Sequence, residues 1–349
     1  MSDGYVTRVV ALAVTTLLLT ASCSGRSDTA TTPPAESVAA PTTGPTLASI
    51  PSPGCEPAGD RAPADTRRVV QVDGTERWFH LDTPGRSAGD QPSPLVVDLH
   101  GLAEGADIHR LMSDMPAVAR EQGFILATPN GTGQPVAWNV STDASNPDLR
   151  FINSLIDDVG AAECIDLSRV YAMGLSNGAM LSSTLACASS GRIAAVATVA
   201  GITDPPGCAP DRPVPVVSFH GTDDAILLFN GGVGDLGTAL EGGTPTMPDG
   251  YTADPDGPGV PASVRAWATR NGCEEAPSDE RIAPDVVRRT YRCPVGADVV
   301  SHVVEGGGHS WPGSRFSASL ASVVGPTTGS IDASRVAWEF LSRHRLPQD

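Results

Sequence analysis

The segment Tyr171–Ala179 constrains the fold more than any other part of the chain, because it holds a serine between two glycines. Ser176 has Gly174 two residues before it and Gly178 two residues after it. An apolar, strand-like run precedes the serine, and a helix-like run follows it. A side chain at either glycine would collide with the neighbouring strand or helix, so the serine could not be held in a tight, strained turn. The segment therefore predicts a strand–turn–helix unit that exposes Ser176 as a candidate nucleophile.

A base and an acid for this serine follow later in the chain. A serine hydroxyl is a weak nucleophile at neutral pH and needs a base within hydrogen-bond reach. His309 is the candidate base, since three glycines precede it and a strand-like run ends near Val304. A carboxylate must fix the tautomer of that histidine, and Asp223 and Asp224 both follow the apolar run Val214–Phe219. From the chemistry alone, the two aspartates are nearly equal candidates.

Backbone amides are the expected donors to the oxyanion of a tetrahedral intermediate. One donor is expected at Asn177, the residue after the candidate nucleophile. The other is expected in the loop after the strand Leu95–Leu99, where Leu102 is the best candidate. His100 lies in the same loop, and a histidine at a strand end is expected to order the loop by hydrogen bonding rather than to act in catalysis.

Two tryptophans are candidates for the substrate pocket. Trp138 lies on a loop at the carboxyl side of a strand, and Trp311 comes two residues after His309. The alternative for each is an aromatic side chain that fills a cluster of loops.

Strand-like and helix-like runs alternate through the middle of the chain, which predicts a mostly parallel sheet covered by helices on both faces. We expect strands at Arg68–Val72, Arg77–Asp82, Leu95–Leu99, Phe124–Thr128, Val170–Met173, Ile193–Val199, Val214–Phe219, Val286–Arg292 and Val299–Val304. We expect helices at Ile108–Gln122, Asp148–Glu163, Ala179–Ala188 and Ala262–Arg270, and a last one with Asp332 as its N-cap. Residues 225–260 are dominated by Gly, Pro, Asp and Thr and predict an irregular insertion.

The amino terminus predicts export. Arg8 is the only basic residue among the first 22, and the apolar run Val9–Ala21 is too short to span a bilayer comfortably. Cys23 follows small residues, as in a bacterial lipoprotein signal, so we expect Cys23 to be lipidated; the alternative is an ordinary cleaved signal peptide. Residues 23–54 are rich in Ser, Thr, Pro and Ala and predict a disordered tether. The catalytic domain is then expected over residues 55–349.

Six cysteines remain after Cys23, and an even number in an exported chain favours disulfides. None has the Cys-x-x-Cys or histidine-rich spacing of a metal site, so we expect no zinc. Cys273 and Cys293 flank a local hairpin, which favours their pairing. The other expected pairs are Cys187 with Cys208 and, by elimination, Cys55 with Cys164.

The charge of the chain limits its partners. Its 349 residues carry a formal net charge of -17, and nucleic acid and anionic membranes both require a basic surface. We therefore expect neither as a partner, with contact to a membrane only through a lipid on Cys23. The 40% of hydrophobic residues is enough for a sizeable core.

Five segments carry a resemblance to a known family, in the same order along the chain. They are Leu99–Gly101, Pro129–Gly133, Asp166–Gly178, His220–Asp224 and Gly306–Gly313. Together they resemble the secreted esterases related to polyhydroxybutyrate depolymerases, which include feruloyl and acetylxylan esterases, over about residues 66–345. After the first His-Gly the family often has small residues or glycine, whereas this chain has Leu102, Ala103 and Glu104.

The resemblance implies an α/β-hydrolase fold, no cofactor, and a serine carboxylic ester hydrolase that acts through an acyl-enzyme. It also implies that Asp224, the last residue of His-Gly-Thr-x-Asp, is the acid. The expected substrate is a hydroxyalkanoate ester, as for polyhydroxybutyrate depolymerases; the alternative is a feruloyl or acetyl ester of plant polysaccharide. Two other possibilities are a non-catalytic surface lipoprotein and a peptidase or acyltransferase on the same fold.

Overall fold

The computed structural model describes residues 48–56, 63–86 and 90–348. The export signal, Cys23 and most of the predicted tether lie outside these residues. Within them, one sheet has the strand order β1-β2-β4-β3-β5-β6-β7-β10-β9-β8. The strands are β1 (Ala64–Val72), β2 (Thr75–Thr83), β3 (Ser93–Leu99), β4 (Ile125–Pro129), β5 (Ile165–Leu175), β6 (Ala195–Val199), β7 (Val216–Gly221), β8 (Ser278–Ala283), β9 (Val286–Tyr291) and β10 (Val299–Val304).

The centre of the sheet is parallel and its two edges are antiparallel. Strands β4, β3, β5, β6, β7 and β10 pair in parallel. The hairpin β1–β2 closes one edge and the hairpin β8–β9 closes the other. Parallel strands require crossover connections, which the intervening helices supply. The predicted fold class, a mostly parallel sheet with helices, is therefore confirmed.

Helices cover both faces of the sheet. They are α1 (Gly105–Ser113), α2 (Met115–Gln122), α3 (Pro147–Ala162), α4 (Asn177–Ala188), α5 (Leu236–Leu240), α6 (Val260–Arg270), α7 (Arg315–Ser319), α8 (Ala321–Val324) and α9 (Ala333–Leu341). One hydrophobic cluster contains side chains of α3, α4 and α6, and the other contains side chains of α2 and α9. Leu95 and Val97 belong to the first cluster and Val96 to the second, as expected for a strand buried on both faces.

Several elements differ from the sequence prediction, among them the short helices α5, α7 and α8, which it does not contain. The helix expected over Ile108–Gln122 is two helices, because Asp114 adopts a left-handed conformation with φ 50° and Pro116 lies in the first turn of the next helix. Strand β8 is absent from the prediction, since its sequence SDERIA is mostly charged and exposed, and an edge strand needs only one paired side. The predicted N-cap is confirmed: the Asp332 side chain accepts a hydrogen bond from the Arg335 amide at 3.1 Å.

The structure pairs the cysteines as expected, with bonds Cys55–Cys164, Cys187–Cys208 and Cys273–Cys293. Three disulfides in one chain are typical of proteins exported from the cytoplasm. None of the helices formed by residues 48–56, 63–86 and 90–348 is long and apolar enough to cross a membrane.

The predicted boundary of the tether at Gly54 is corrected by the contacts of the residues just before it. The Ile50 amide donates to Asp166 Oδ1 at 2.9 Å. Ser52 is buried, and its hydroxyl donates to the Glu163 carbonyl at 2.8 Å and accepts from the Ile165 amide at 3.0 Å. The ordered domain therefore begins no later than Ile50. Sequence composition cannot show this, because the contacts are made by polar backbone and serine atoms.

Candidate active site

Ser176 occupies a strained turn between β5 and α4. Its backbone has φ 54° and ψ -118°, a conformation that L-residues rarely adopt. The turn depends on the two flanking glycines. A Cβ on Gly174 would lie 2.5 Å from the Leu99 carbonyl oxygen, and one on Gly178 would lie 2.2 Å from the same atom. Glycine at both positions lets the turn approach the end of β3 closely enough to hold the serine in this pose.

The three candidate catalytic residues follow three strands of the parallel centre. Ser176 comes after β5, Asp224 after β7 and His309 after β10. Because these strands are parallel, their carboxyl ends meet at one edge of the sheet, where ligands bind in open α/β sheets. The topology therefore brings residues that are up to 133 positions apart (309 − 176) to the same edge.

His309 and Asp224 form a buried hydrogen-bonded pair. His309 Nδ1 lies 2.7 Å from Asp224 Oδ2. Since an ionised carboxylate can only accept, Nδ1 carries the proton and Nε2 is left with its lone pair. This is the tautomer that a general base for a serine hydroxyl requires.

Asp224 has its hydrogen-bonding capacity filled by groups that favour its ionised form. Oδ1 accepts from the amides of Ile226 and Leu227 at 2.9 and 2.8 Å. His220 Nε2 lies 3.2 Å from Oδ2 and also 2.9 Å from the Leu227 carbonyl, so this nitrogen must carry a proton. Burial alone would raise the pKa of Asp224, but His309 and His220 outweigh it and hold the pKa well below the usual range. The sequence alone gives no sign of this role for His220, although it stands four residues before Asp224.

Asp223, the other candidate acid, points elsewhere. Its side chain is exposed and accepts from the Thr222 hydroxyl at 3.1 Å. Its amide donates to the Gly307 carbonyl at 2.9 Å, which ties together the loops after β7 and β10. The structure therefore selects Asp224, and not Asp223, as the partner of His309.

The backbone amides of Leu102 and Asn177, on either side of the turn, have no acceptor among the described residues. The amides of Gly101, Ala103 and Glu104 donate within the loop or to Val136, and the Ser176 amide donates to the Val199 carbonyl. Unpaired amides beside a nucleophile are what an oxyanion hole requires, and these are the two that the sequence predicts.

His100 orders this loop, as expected. Its Nε2 accepts from the Gly131 amide at 2.8 Å, so Nδ1 carries the proton and donates to the Gly101 carbonyl at 2.7 Å. Burial lowers the pKa of His100 to about 4, which keeps the ring neutral at physiological pH. Both ring nitrogens are occupied, and neither is available for catalysis.

Trp138 braces the same loop from behind. Its side chain is only 4% exposed, and its indole N–H donates to the His100 carbonyl at 2.9 Å. The Asn177 side chain accepts from the Trp138 amide at 2.7 Å and donates to the Trp138 carbonyl at 3.2 Å. These contacts favour the alternative of a buried aromatic side chain over the predicted contact with substrate.

The position of Trp311 contradicts the predicted contact with substrate more clearly than that of Trp138 does. Trp311 is 1% exposed, its indole N–H donates to the Ser334 hydroxyl at 2.9 Å, and its ring meets the His109 ring edge-on. The side chain packs in the hydrophobic cluster of α2 and α9 and supports the His309 loop from inside. It has no surface left for a substrate, so the predicted pocket role of Trp311 is wrong.

In the portion of the chain that the structure describes, no three His, Cys, Asp or Glu side chains are grouped so that they could hold a metal ion. The cofactor-free mechanism implied by the resemblance stays a prediction.

Comparisons with known proteins show which proteins the chain is similar to. No family model matches the chain. It is 32% identical over 356 residues to the protein named "Putative esterase NocK" of Nocardia uniformis subsp. tsuyamanensis, an alignment that covers 96% of this chain and 98% of that protein. It is 30% identical over 237 residues to feruloyl esterase B of Piromyces equi, which covers 65% of this chain and 41% of that longer protein. The acetyl xylan esterase from Aspergillus awamori superposes with a TM-score of 0.50 at 16% identity, over 70% of this chain and 94% of that chain.

The superposition and the ten-stranded sheet define an α/β-hydrolase, and the relatives make it a carboxylic ester hydrolase of the serine type. At 16% identity the solved structure shows the fold alone. The alignment with the NocK protein extends over nearly the whole of both chains. The chain therefore belongs to the same family of esterases as the NocK protein.

Proposed function

We propose that this esterase works through the triad Ser176, His309 and Asp224, with the amides of Leu102 and Asn177 as its oxyanion hole. The observation that carries the proposal is the buried Asp224–His309 pair, whose hydrogen bond at 2.7 Å leaves the histidine Nε2 free to accept a proton. The strained backbone of Ser176 and the two unpaired amides support it.

The reaction has two halves that use the same groups. In the first, Ser176 Oγ attacks the ester carbonyl while His309 Nε2 takes the serine proton, and the oxyanion is bound by the two amides. The tetrahedral intermediate expels the alcohol, which receives the proton from His309, and an acyl-enzyme remains. In the second half, water gives a proton to His309 Nε2 and attacks the acyl carbonyl. The bond between the acyl carbon and Ser176 Oγ then breaks, Oγ takes the proton back from His309, and the acid is released.

The substrates that we propose are feruloyl or acetyl esters. The names of the relatives support this class, because they include feruloyl esterases and an acetylxylan esterase/xylanase. Esters of 3-hydroxybutyrate, the substrate class that the motif resemblance favours, are the second candidate. Neither nucleic acid nor an anionic membrane surface is proposed as a partner, because the formal net charge is -17.

One set of measurements tests the activity and the substrate class together. A fluorophosphonate probe should label the wild type at Ser176, and Ser176→Ala should remove both the label and ester hydrolysis. A p-nitrophenyl ester series, methyl ferulate and 3-hydroxybutyrate oligomers should then be compared by kcat/KM. An unlabelled but folded wild type would leave a non-catalytic binding protein as the better reading, and higher activity on a matched amide would indicate a peptidase.

We also propose that the esterase is held at the cell surface by a lipid on Cys23. The support is the short apolar run Val9–Ala21, the small residues before Cys23, and the Ser/Thr/Pro/Ala-rich segment after it. Such a tether would hold the catalytic domain clear of the membrane while leaving it free to meet soluble esters.

A further inference from the structure

A buried cluster of charges lies beneath the proposed oxyanion hole, at the start of α1. His109 is fully buried, with Nε2 2.8 Å from Asp98 Oδ1 and Nδ1 3.1 Å from Glu104 Oε2. Asp98 Oδ2 also accepts from the Ser113 hydroxyl at 2.7 Å. Because ionised carboxylates only accept, both ring nitrogens of His109 donate, and the ring is an imidazolium. Burial would lower the pKa of His109, but the two carboxylates outweigh it and raise the pKa to about 10.

Glu104 connects this cluster to the loop of the proposed oxyanion hole. Its Oε2 accepts from the Gly101 amide at 2.6 Å, and its own amide donates back to the Gly101 carbonyl at 3.3 Å. The turn Gly101–Glu104 is thus closed from both ends. Within it, Ala103 is held at φ 64°, and its amide donates to the Val136 carbonyl at 2.8 Å. The remaining amide of the turn, that of Leu102, is the proposed oxyanion donor.

The direction of the Leu102 N–H follows from the contacts of its own peptide. The peptide between Gly101 and Leu102 is planar and trans, so its N–H points opposite to the Gly101 carbonyl. That carbonyl oxygen accepts from the Glu104 amide and from His100 Nδ1, which fixes the peptide plane. One of these two contacts comes from the Glu104 backbone amide, so the position of Glu104 influences the orientation of this peptide.

The turn lies directly against the proposed nucleophile. A Cβ placed on Gly101 would be 3.3 Å from Glu104 Oε2 and 3.6 Å from the Cβ of Ser176. The other carboxylate oxygen of Glu104, Oε1, is buried without a hydrogen-bond partner in the described ranges. A buried, half-satisfied carboxylate costs stability, and such costs are typical of functional sites.

We propose that Glu104 is a positioning residue of the oxyanion hole. Anchored by the His109 imidazolium, it holds the Gly101 amide and thereby aims the Leu102 N–H at the oxyanion. The inference rests on the proposed function, because it requires an acyl transfer at Ser176. The residue touches no substrate atom and acts only through the turn.

Two substitutions separate the hydrogen-bond acceptor from the bulk of the side chain. Glu104→Gln keeps an acceptor for the Gly101 amide and should retain kcat on p-nitrophenyl acetate within about fivefold. Glu104→Met is similar in length but accepts no strong hydrogen bond. It should lower kcat by about 10–10²-fold, less than outright loss of an oxyanion donor, with KM changed by less than about threefold.

A readout besides turnover is the binding of a boronic acid, whose tetrahedral serine adduct resembles the transition state. Its inhibition constant should weaken in Glu104→Met in parallel with kcat/KM, because a misplaced donor affects the tetrahedral species more than the substrate. The matched control is Arg110→Met. Arg110 is on the same helix and pairs with Asp82 and Asp65, away from the turn. This variant should lose stability and keep its kcat.

The outcomes that overturn the inference are distinct from those that overturn the proposed function. If Ser176 is labelled in the wild type but Glu104→Met is folded and turns over at the wild-type kcat, only the positioning role of Glu104 fails. A rise in KM at unchanged kcat, or an equal loss of kcat in Arg110→Met, also refutes it. If fluorophosphonate does not label Ser176 in the wild type, the proposed function fails and this inference with it.

Discussion

Replacement of Asp224 by asparagine tests the geometry of the proposed triad most directly, because the change in shape is minimal. Each oxygen of the carboxylate faces two donors. Oδ1 accepts from the amides of Ile226 and Leu227, and Oδ2 lies near His309 Nδ1 and His220 Nε2. An asparagine has only one acceptor oxygen, so in either orientation its amide nitrogen confronts two donors.

The expected loss of kcat follows from the orientation of the asparagine amide that costs less free energy. If the asparagine oxygen keeps the two backbone amides, its nitrogen lies near the position of Oδ2, 2.7 Å from His309 Nδ1. His309 then relieves the contact by moving its proton to Nε2, where the lone pair for the Ser176 proton is lost. A histidine in the wrong tautomer lowers kcat by about 10⁴ in serine hydrolases of this kind. We expect a loss of that order for Asp224→Asn.

The assay is kcat for p-nitrophenyl acetate hydrolysis, measured on protein whose circular dichroism matches the wild type. The control is Asp223→Asn, at the next residue along the chain. Its side chain is exposed and accepts a hydrogen bond from the Thr222 hydroxyl, so the kcat of this variant should stay within about threefold of wild type. The reasoning is refuted if Asp224→Asn retains a tenth or more of wild-type kcat, roughly 1.4 kcal/mol or less of lost transition-state stabilisation. A larger loss of kcat in Asp223→Asn than in Asp224→Asn would refute it as well.

Three further predictions concern stability and location. Replacing both Cys273 and Cys293 by serine opens a loop with a sequence separation of 20 residues and should lower the free energy of unfolding by about 3 kcal/mol, measured in urea. The pKa of His109 is raised to about 10 in the folded protein. Protonated His109 should therefore stabilise the folded state fully below pH 6.5, and this contribution to the free energy of unfolding should be lost as pH rises through about 10. Denaturation at a series of pH values should show that loss, and it should be absent in His109→Gln. Cys23→Ser should release the protein from the membrane fraction without changing kcat on a soluble ester; a wild type already free in the medium would refute the lipid anchor.

Much of the fold and part of the site could be predicted from the sequence, because their causes are local. The glycines around Ser176 restrict the turn whatever surrounds it, and the apolar runs on either side predict strand and helix. The run Val299–Val304 matches β10 residue for residue. Asp332 caps α9 through an amide three residues away. Apolar periodicity and capping act over one or two turns of chain, so a short window of sequence contains them.

The choice between Asp223 and Asp224 required the tertiary structure. The two residues are identical and adjacent, and only the His309 side chain, 85 residues further on, distinguishes them. The same holds for Glu104, whose place beside Ser176 depends on how β3 and β5 pair.

The burial of aromatic side chains also depends on the tertiary structure. Trp311 follows His309 closely in sequence, yet its ring packs inward against Ser334 and His109. His309 instead faces Asp224. Sequence fixes which side chains are available and which local turns they favour. Their burial, their charge state and the atoms they contact depend on chain segments that only the folded sheet brings together, because those contacts join residues far apart in the chain.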